Sequence, residues 1–197
     1  MNLVERNCLK CTKRLAIHLQ RNANQELKQR RHFYMWINVM FNRKDNKRVK
    51  EIGPDRAAAE WIVRNGGSVK FAGYEKYIQD YNALPVGSLP RKYLLEEINA
   101  RGISLTDNGF EHLVGLKNLR VFDMNSCSYI TNLSLLTEVS ESLQYLDVGN
   151  CESLADITPI AKLKALKKLI LTKTLGKNRE LAIDDIKRQL PNCEIIE

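Results

Sequence analysis

Several signals that mark common classes of protein are missing from this sequence. It carries five cysteines, an odd number, and no recognisable secretory signal, which argues against a disulfide framework and favours a reducing compartment. Its apolar runs fall short of the roughly 18 residues that a membrane-spanning helix needs. Cys8 and Cys11 form a C-x-x-C pair, but no second pair or histidine set completes a zinc site.

Catalytic motifs are also missing. The sequence contains no G-x-S-x-G, no P-loop, no H-E-x-x-H and no G-x-G-x-x-G. His18 and His32 lie in or beside a basic N-terminal segment, and we expect His112 to be a surface or packing residue. The sequence therefore predicts a protein that is not an enzyme.

The net charge of +8 is concentrated at the N-terminus. Residues 1–32 hold eight Lys or Arg and two Asp or Glu, whereas the remainder holds 23 basic and 21 acidic residues. Residues 1–30 are basic, amphipathic and poor in acids, which is typical of a mitochondrial transit peptide. A disordered basic tail is the alternative. No nucleic-acid motif accompanies the charge, so we predict no nucleic-acid partner.

What the sequence does contain is a ladder of leucines. The pattern L-x-x-L-x-L-x-x-C or a close variant begins at residues 119, 143 and 166, and looser forms begin at 95 and 190, so the spacings are 24, 24, 23 and 24. Alternating apolar residues point to one face of a short strand, and stacked repeats share one core. The fold class predicted for residues 91–197 is α/β, a leucine-rich repeat solenoid of short parallel strands plus helices. The inward positions are Leu95, Ile98 and Ala100; Leu119, Phe122, Met124 and Cys127; Leu143, Leu146, Val148 and Cys151; Leu166, Leu169, Leu171 and Thr174; and Leu190, Cys193 and Ile195.

The residues between these inward positions are expected to face solvent on the concave side. Four of them are acidic against one lysine, so this face is predicted to be mildly acidic, which opposes nucleic-acid binding. The predicted outward residues are Glu97, Asn99, Val121, Asp123, Tyr145, Asp147, Lys168, Ile170, Asn192 and Glu194. Cys127 and Cys151 fill equivalent positions, where we expect small buried side chains rather than reactive thiols.

Residues 31–90 are predicted to form a small N-terminal helical domain that caps the repeats. Residues 33–41, FYMWINVMF, favour a docking helix, with a partner or membrane-surface anchor as the alternative. The basic run 42–50 is solvated or touches anionic headgroups. Pro54 begins a helix that Asn65-Gly66-Gly67 ends with a left-handed cap. A short strand and a second helix over residues 74–84 follow.

Several motifs resemble those of a known family. Residues 36–42 read WINVMFN and residues 53–61 read GPDRAAAEW, and these are specific. Further similarity follows in DYNALP at 80–85, DNGF at 107–110 and CSYI at 127–130. In these motifs the sequence resembles the family of mitochondrial ATP synthase subunit s, also called coupling factor B, over about residues 34–197.

The resemblance implies a peripheral protein on the matrix side of the mitochondrial inner membrane, whose transit peptide is removed. It implies a role in proton conduction by ATP synthase, where the family is described as preventing a proton leak. It also implies a magnesium ion bound through backbone carbonyls, which motif matching assigns here to Gly66 and Arg101. Arg101 departs from the family's residue type, but a carbonyl ligand tolerates that change. Of the family's neighbouring pair of thiols only Cys127 is present, because Asn125 stands two residues before it.

Three functions remain open at this point. The first is a non-enzymatic regulator or coupling factor of ATP synthase, with the membrane sector as partner. The second is an assembly factor for the membrane arm of respiratory complex I, which is linked to a related branch of the family. The third is an F-box-like leucine-rich repeat adaptor, which lacks an F-box here and conflicts with a transit-like N-terminus.

Overall fold

A computed structural model describes residues 36–85, 93–174 and 179–197 of the chain. The chain divides into two compact units, Met1–Met40 and Phe41–Glu197. Residues 36–42 are helical. The predicted transit peptide at residues 1–30 lies outside the described residues. The second unit holds the sheet, three α-helices and the buried core.

The second unit is built on a six-stranded, mostly parallel sheet whose strands follow one another in chain order. β1 pairs antiparallel with β2, and β2 to β6 are parallel. Because each parallel strand neighbours the next along the chain, equivalent side chains stack in rows across the sheet. The strands are β1 (Ser68–Phe71), β2 (Leu95–Asn99), β3 (Val121–Asp123), β4 (Tyr145–Asp147), β5 (Lys168–Ile170) and β6 (Glu194–Ile196).

The predicted inward positions of the leucine ladder form the core, except that Cys193 and Ile195 of the last rung are only half-buried. Phe122, Leu146 and Leu169 occupy one row and are fully buried. The last rung differs from the prediction, because Leu169 pairs with Ile195 and so sets a spacing of 26 residues in place of 24. The 11-residue helix α3 (Arg179–Gln189) precedes β6 and lengthens that spacing.

The connections between the earlier strands are 3-10 helices rather than α-helices. They span Asp107–Leu113, Ser134–Val139 and Thr158–Lys162. A 3-10 helix is wound more tightly than an α-helix, which suits the short connections between successive strands. Leu113, Leu136 and Ile160 from these segments are buried and close the side of the core opposite the exposed sheet face.

Two helices precede the sheet in the second unit. α1 (Asn46–Ile52) begins at Asp45, whose carboxylate accepts hydrogen bonds from the Lys47 and Arg48 backbone N–H groups. α2 (Pro54–Arg64) has the bounds that the sequence predicts, with proline in its first turn. Trp61 on α2 is 2% exposed, so this helix is anchored in the core.

The predicted helix over residues 74–84 is wrong. After a turn at Gly73, Ile78 forms an antiparallel bridge with Val69, and only Tyr81–Ala83 is helical, as a single 3-10 turn. The Ile78 and Val69 backbones exchange hydrogen bonds of 2.7 and 3.0 Å. This pairing with β1 holds the segment extended and overrides its local helical spacing.

Candidate functional site

The two residues assigned to magnesium lie on neighbouring turns. Gly66 ends α2 in a Schellman motif: its N–H donates to the Val63 carbonyl, Gly67 donates to the Ile62 carbonyl, and Gly66 has a φ of 91°. A Cβ on Gly67 would lie 2.7 Å from the Asn99 carbonyl oxygen, at the end of β2. The turn that carries Gly66 is therefore packed directly against the segment that leads to Arg101.

Backbone oxygens at these two turns have the chemistry that a hard cation requires. Neither the Gly66 nor the Arg101 carbonyl accepts a hydrogen bond from any residue that the structure describes. By contrast, the Ile62 and Val63 carbonyls at the end of α2 are already bonded by the cap. Within the described ranges no cluster of three or more His, Cys, Asp or Glu is arranged to hold a metal. A cation at Gly66 and Arg101 would thus rest on carbonyls and water.

The Arg101 side chain points into an acidic network along the ends of the strands. Its guanidinium lies 2.9 Å from Asp123 and 3.6 Å from Asp147. Asp147 was predicted to face solvent but is almost fully buried, because Arg101 covers it and the Asn125 amide donates to it at 3.1 Å. The hydrogen bond to Asp123 raises the pKa of Arg101 above its ordinary value. The carboxylates therefore neutralise the cationic side chain of this proposed ligand residue.

The same turn recurs at the end of three successive strands. Asn99, Asp123 and Asp147 each accept a hydrogen bond from the backbone N–H two residues later, at 3.2, 3.0 and 2.8 Å. Such Asx turns satisfy backbone donors where a strand stops. Asn125 therefore has a structural role in this chain, since it links Asp147 to Asn150 across adjacent turns.

The exposed sheet face carries more positive charge than predicted. Lys70 of β1 lies in register with Glu97 and forms an ion pair with it, and the Tyr77 hydroxyl donates to the same carboxylate. Lys168 pairs with Glu194 at 3.2 Å. Lys70 was not among the predicted outward residues, although the alternation of Ser68–Phe71 places Val69 and Phe71 inward and Lys70 outward. The acids of this face are therefore largely paired.

Cys127 and Cys151 are fully buried, as predicted. Their thiols donate to the Ala100 and Met124 carbonyls, which directly follow β2 and β3, at 3.1 and 3.2 Å. Burial raises the pKa of Cys127 to about 12 and that of Cys151 to about 11. These thiols stay protonated near neutral pH and link the turns that follow successive strands.

Comparisons with known proteins agree with the motifs. No protein-family model matches the sequence. A rat protein named ATP synthase subunit s, mitochondrial, is 37% identical over 173 residues, which cover 84% of this chain and 86% of the relative. Mouse and human proteins of the same name are 34% and 33% identical over the same shares. The chain therefore belongs to the mitochondrial ATP synthase subunit s family.

Proposed function

We propose that this protein is a non-enzymatic accessory subunit of mitochondrial ATP synthase that supports proton conduction and limits proton leak at the inner membrane. Membership of the subunit s family carries this proposal. The acid–base groups of the exposed sheet face are held in ion pairs, which suits a binding surface better than a catalytic one. No described helix has the length and apolar character needed to cross a bilayer. The proposed location is peripheral, on the matrix side.

The proposed architecture is a leucine-rich repeat solenoid, residues 91–197, capped by residues 31–90. A parallel sheet whose register advances by 24, 24, 23 and 26 residues supports the repeat assignment. β1 belongs to the proposed cap and pairs with β2, so the sheet continues from one proposed region into the other. The exposed face of the sheet is the surface that this architecture offers to the ATP synthase membrane sector.

Affinity purification tests the partner. The tagged full chain is recovered from gently solubilised mitochondria and its partners are identified by mass spectrometry. We expect membrane-sector subunits of ATP synthase. Complex I membrane-arm subunits without ATP synthase would instead identify an assembly factor, and a protein absent from mitochondria would exclude both functions.

A pair of tyrosine variants tests the surface. Tyr145 lies on the exposed face of β4, whereas Tyr129 lies on a turn and is 46% exposed. Tyr145→Ala is expected to reduce recovery of ATP synthase subunits, and Tyr129→Ala to leave it unchanged. Equal recovery with both variants would rule out the sheet face as the contact. Oxygen-consumption leak in depleted mitochondria, with rescue by each variant, then tests the proton-leak role.

Magnesium binding at the Gly66 and Arg101 carbonyls is a separate part of the proposal. Gly73 is the matched control for Gly66, since both glycines have positive φ and open space where a Cβ would be placed. Gly66→Ala is expected to shift the carbonyl and abolish Mg²⁺ binding in calorimetry, while Gly73→Ala retains it. Arg101→Ala should also retain binding, because the ligand atom belongs to the backbone. Loss of binding in Arg101→Ala would contradict a carbonyl site.

A further inference from the structure

His112 is a buried imidazole whose ring nitrogens lack a close hydrogen-bond partner among the described residues. It lies in the Asp107–Leu113 segment, is 7% exposed, and stacks on Trp61 with ring centroids 4.9 Å apart and planes 7° from parallel. Neither Nδ1 nor Nε2 has a hydrogen-bond partner in the part of the chain that the structure describes. An unsatisfied buried polar group costs about 1–3 kcal/mol, so an oxygen of a water or ligand placed beside this ring would be stabilised by a hydrogen bond to it.

A small cavity adjoins this ring. Its volume is about 30 Å³, and Arg43, Arg48, Glu60, Arg64 and Trp61 line it together with His112. One water needs about 10–15 Å³, so the enclosed space receives one or two oxygen atoms. A larger ligand would place one or two of its oxygens against the imidazole, and its remaining atoms would lie at the mouth of the cavity.

The charges around the cavity are unbalanced in favour of positive charge. Arg48 and Arg64, which line it, and Arg56, which does not, converge on the carboxylate of Glu60 at 2.8, 3.3 and 3.2 Å. Arg48 also lies 3.5 Å from Glu51. Asp45 also lines the cavity, but it is the N-cap of α1. Arg43 makes no ion pair with any described residue, which leaves its guanidinium available at the mouth.

We propose that this cavity binds a phosphate group, with Arg43 and Arg64 contacting its outer oxygens and a ring N–H of His112 donating to an inner oxygen. Guanidinium groups match phosphate oxygens in pairs, and phosphate offers enough oxygens to meet donors from several sides. The ligand is a phosphate ester or inorganic phosphate. This inference stands apart from the role in ATP synthase, since it rests on α1, the loop before it, α2 and the Asp107–Leu113 segment.

The ionisation of His112 agrees with this geometry. Burial, together with the neighbouring cations Lys44 and Arg64, lowers the pKa of His112 to about 4, while the Arg43 backbone opposes the fall. The ring is therefore neutral near pH 7, with one nitrogen carrying a proton to donate. A bound phosphate would offset the cations and favour the imidazolium, so binding and protonation should be linked.

The test uses the full chain labelled at its three histidines with ¹⁵N. Inorganic phosphate is titrated at constant ionic strength, with sodium chloride as the balancing salt. We expect saturable shifts of the His112 ring nitrogens, identified by their loss in His112→Asn. The pKa of His112 should rise by about one unit or more at saturation, which corresponds to about tenfold tighter binding by the protonated form.

Arginine variants make the test specific to the cavity. Arg43→Gln removes no ion pair and is expected to weaken phosphate binding at least about tenfold. Arg120→Gln is the control, because Arg120 pairs with Glu96 beside the sheet and does not line the cavity. No saturable response, an equal loss in both variants, or acetate binding as tight as phosphate would overturn the proposal.

Two further titrations identify the source of the phosphate group. Glycerol phosphate presents the group in solution, and vesicles of phosphatidic acid present it on a membrane, with phosphatidylcholine vesicles as the blank. Shifts of His112 with glycerol phosphate alone assign the site to soluble esters. Shifts with phosphatidic acid vesicles, lost in Arg43→Gln, assign it to lipid headgroups.

Discussion

Two buried acids on α2 are stabilised in different ways. Glu60 is surrounded by three guanidinium groups, which hold its pKa below the ordinary value despite burial. Asp55 has no such cation; it accepts a hydrogen bond of 2.8 Å from the Leu95 backbone N–H. Burial raises the pKa of Asp55, so the charged form of this carboxylate is destabilised by its surroundings. Its oxygen nevertheless holds the start of β2 through the hydrogen bond from Leu95.

Asp55 variants separate the charge from the hydrogen bond. Asp55→Ala leaves the Leu95 N–H unpaired and is expected to lower the free energy of unfolding by about 1–3 kcal/mol. Asp55→Asn keeps an acceptor oxygen and removes the buried charge, so the loss should be smaller. Urea denaturation at pH 7 measures both. Equal losses would show that the charge, not the acceptor, is what matters.

His112 should make stability depend on pH. Its folded pKa of about 4 lies below the ordinary 6.5, so the unfolded chain binds the proton more readily. The free energy of unfolding should therefore fall as pH drops from about 6.5 towards 4, by about 3 kcal/mol at most. His112→Phe keeps an aromatic ring against Trp61 and should remove this part of the fall. A variant curve parallel to that of the original protein over this range would contradict the assignment.

At the scale of elements, the C-terminal turn of α2 packs directly against the end of β2 beside the proposed magnesium site. Gly67 allows this contact, because a Cβ there would also lie 2.7 Å from Ile62 Cγ2. The end of the helix and the end of the strand therefore meet with no room for a side chain. Any displacement of one turn would move the Gly66 carbonyl relative to that of Arg101.

Gly67→Ala is expected to destabilise the fold by about 1–3 kcal/mol through overpacking. Gly73→Ala is the comparison, since it adds a Cβ in open space at a φ of 81° and introduces only backbone strain, about 1–2 kcal/mol. Thermal denaturation of both variants measures the difference. In addition, Gly67→Ala alone should weaken Mg²⁺ binding, and unchanged Mg²⁺ affinity would argue against a site between these turns.

Local patterns were predictable from the sequence, and long-range pairings were not. The bounds of α2 follow from Pro54 and Gly66, and the inward leucines follow from their spacing, because these signals lie within a few residues. The extended conformation at Ile78 depends on Val69, which no local pattern reveals. The cavity at His112 was missed for the same reason, since its arginines come from α1, α2 and the loop before them.

At the scale of the whole molecule, the two edge strands of the sheet, β1 and β6, differ in how far other residues cover them. β1 is covered through the Val69–Ile78 bridge, and its Val69 and Phe71 are fully buried. β6 bonds only to β5 among the described strands, and its residues are exposed or half-buried. When each strand is stabilised mainly by the strands beside it, unfolding is expected to begin at the end of the sheet where these contacts are weakest.

Amide exchange should therefore be graded along the sheet. We expect the β5 and β6 amides to exchange before those of β2 to β4, because opening the β6 end exposes less core. Leu169→Ala should accelerate exchange in β5 and β6 more than in β2. Hydrogen–deuterium exchange with mass spectrometry resolves these segments. Uniform exchange across all six strands would show that the array unfolds as one cooperative unit.

The cap of α2 also bears on the chemical ageing of the protein. Asn-Gly is the dipeptide most prone to deamidation, and α2 ends with Asn65-Gly66. The reaction requires the Gly66 backbone nitrogen to attack the Asn65 side-chain carbonyl. Here that nitrogen donates to the Val63 carbonyl at 3.0 Å, and the Asn65 amide donates to the Trp61 carbonyl at 2.8 Å. The folded chain thus withholds both reacting groups. Aspartate and isoaspartate accumulating at position 65 would record how long each molecule has spent with this helix end open.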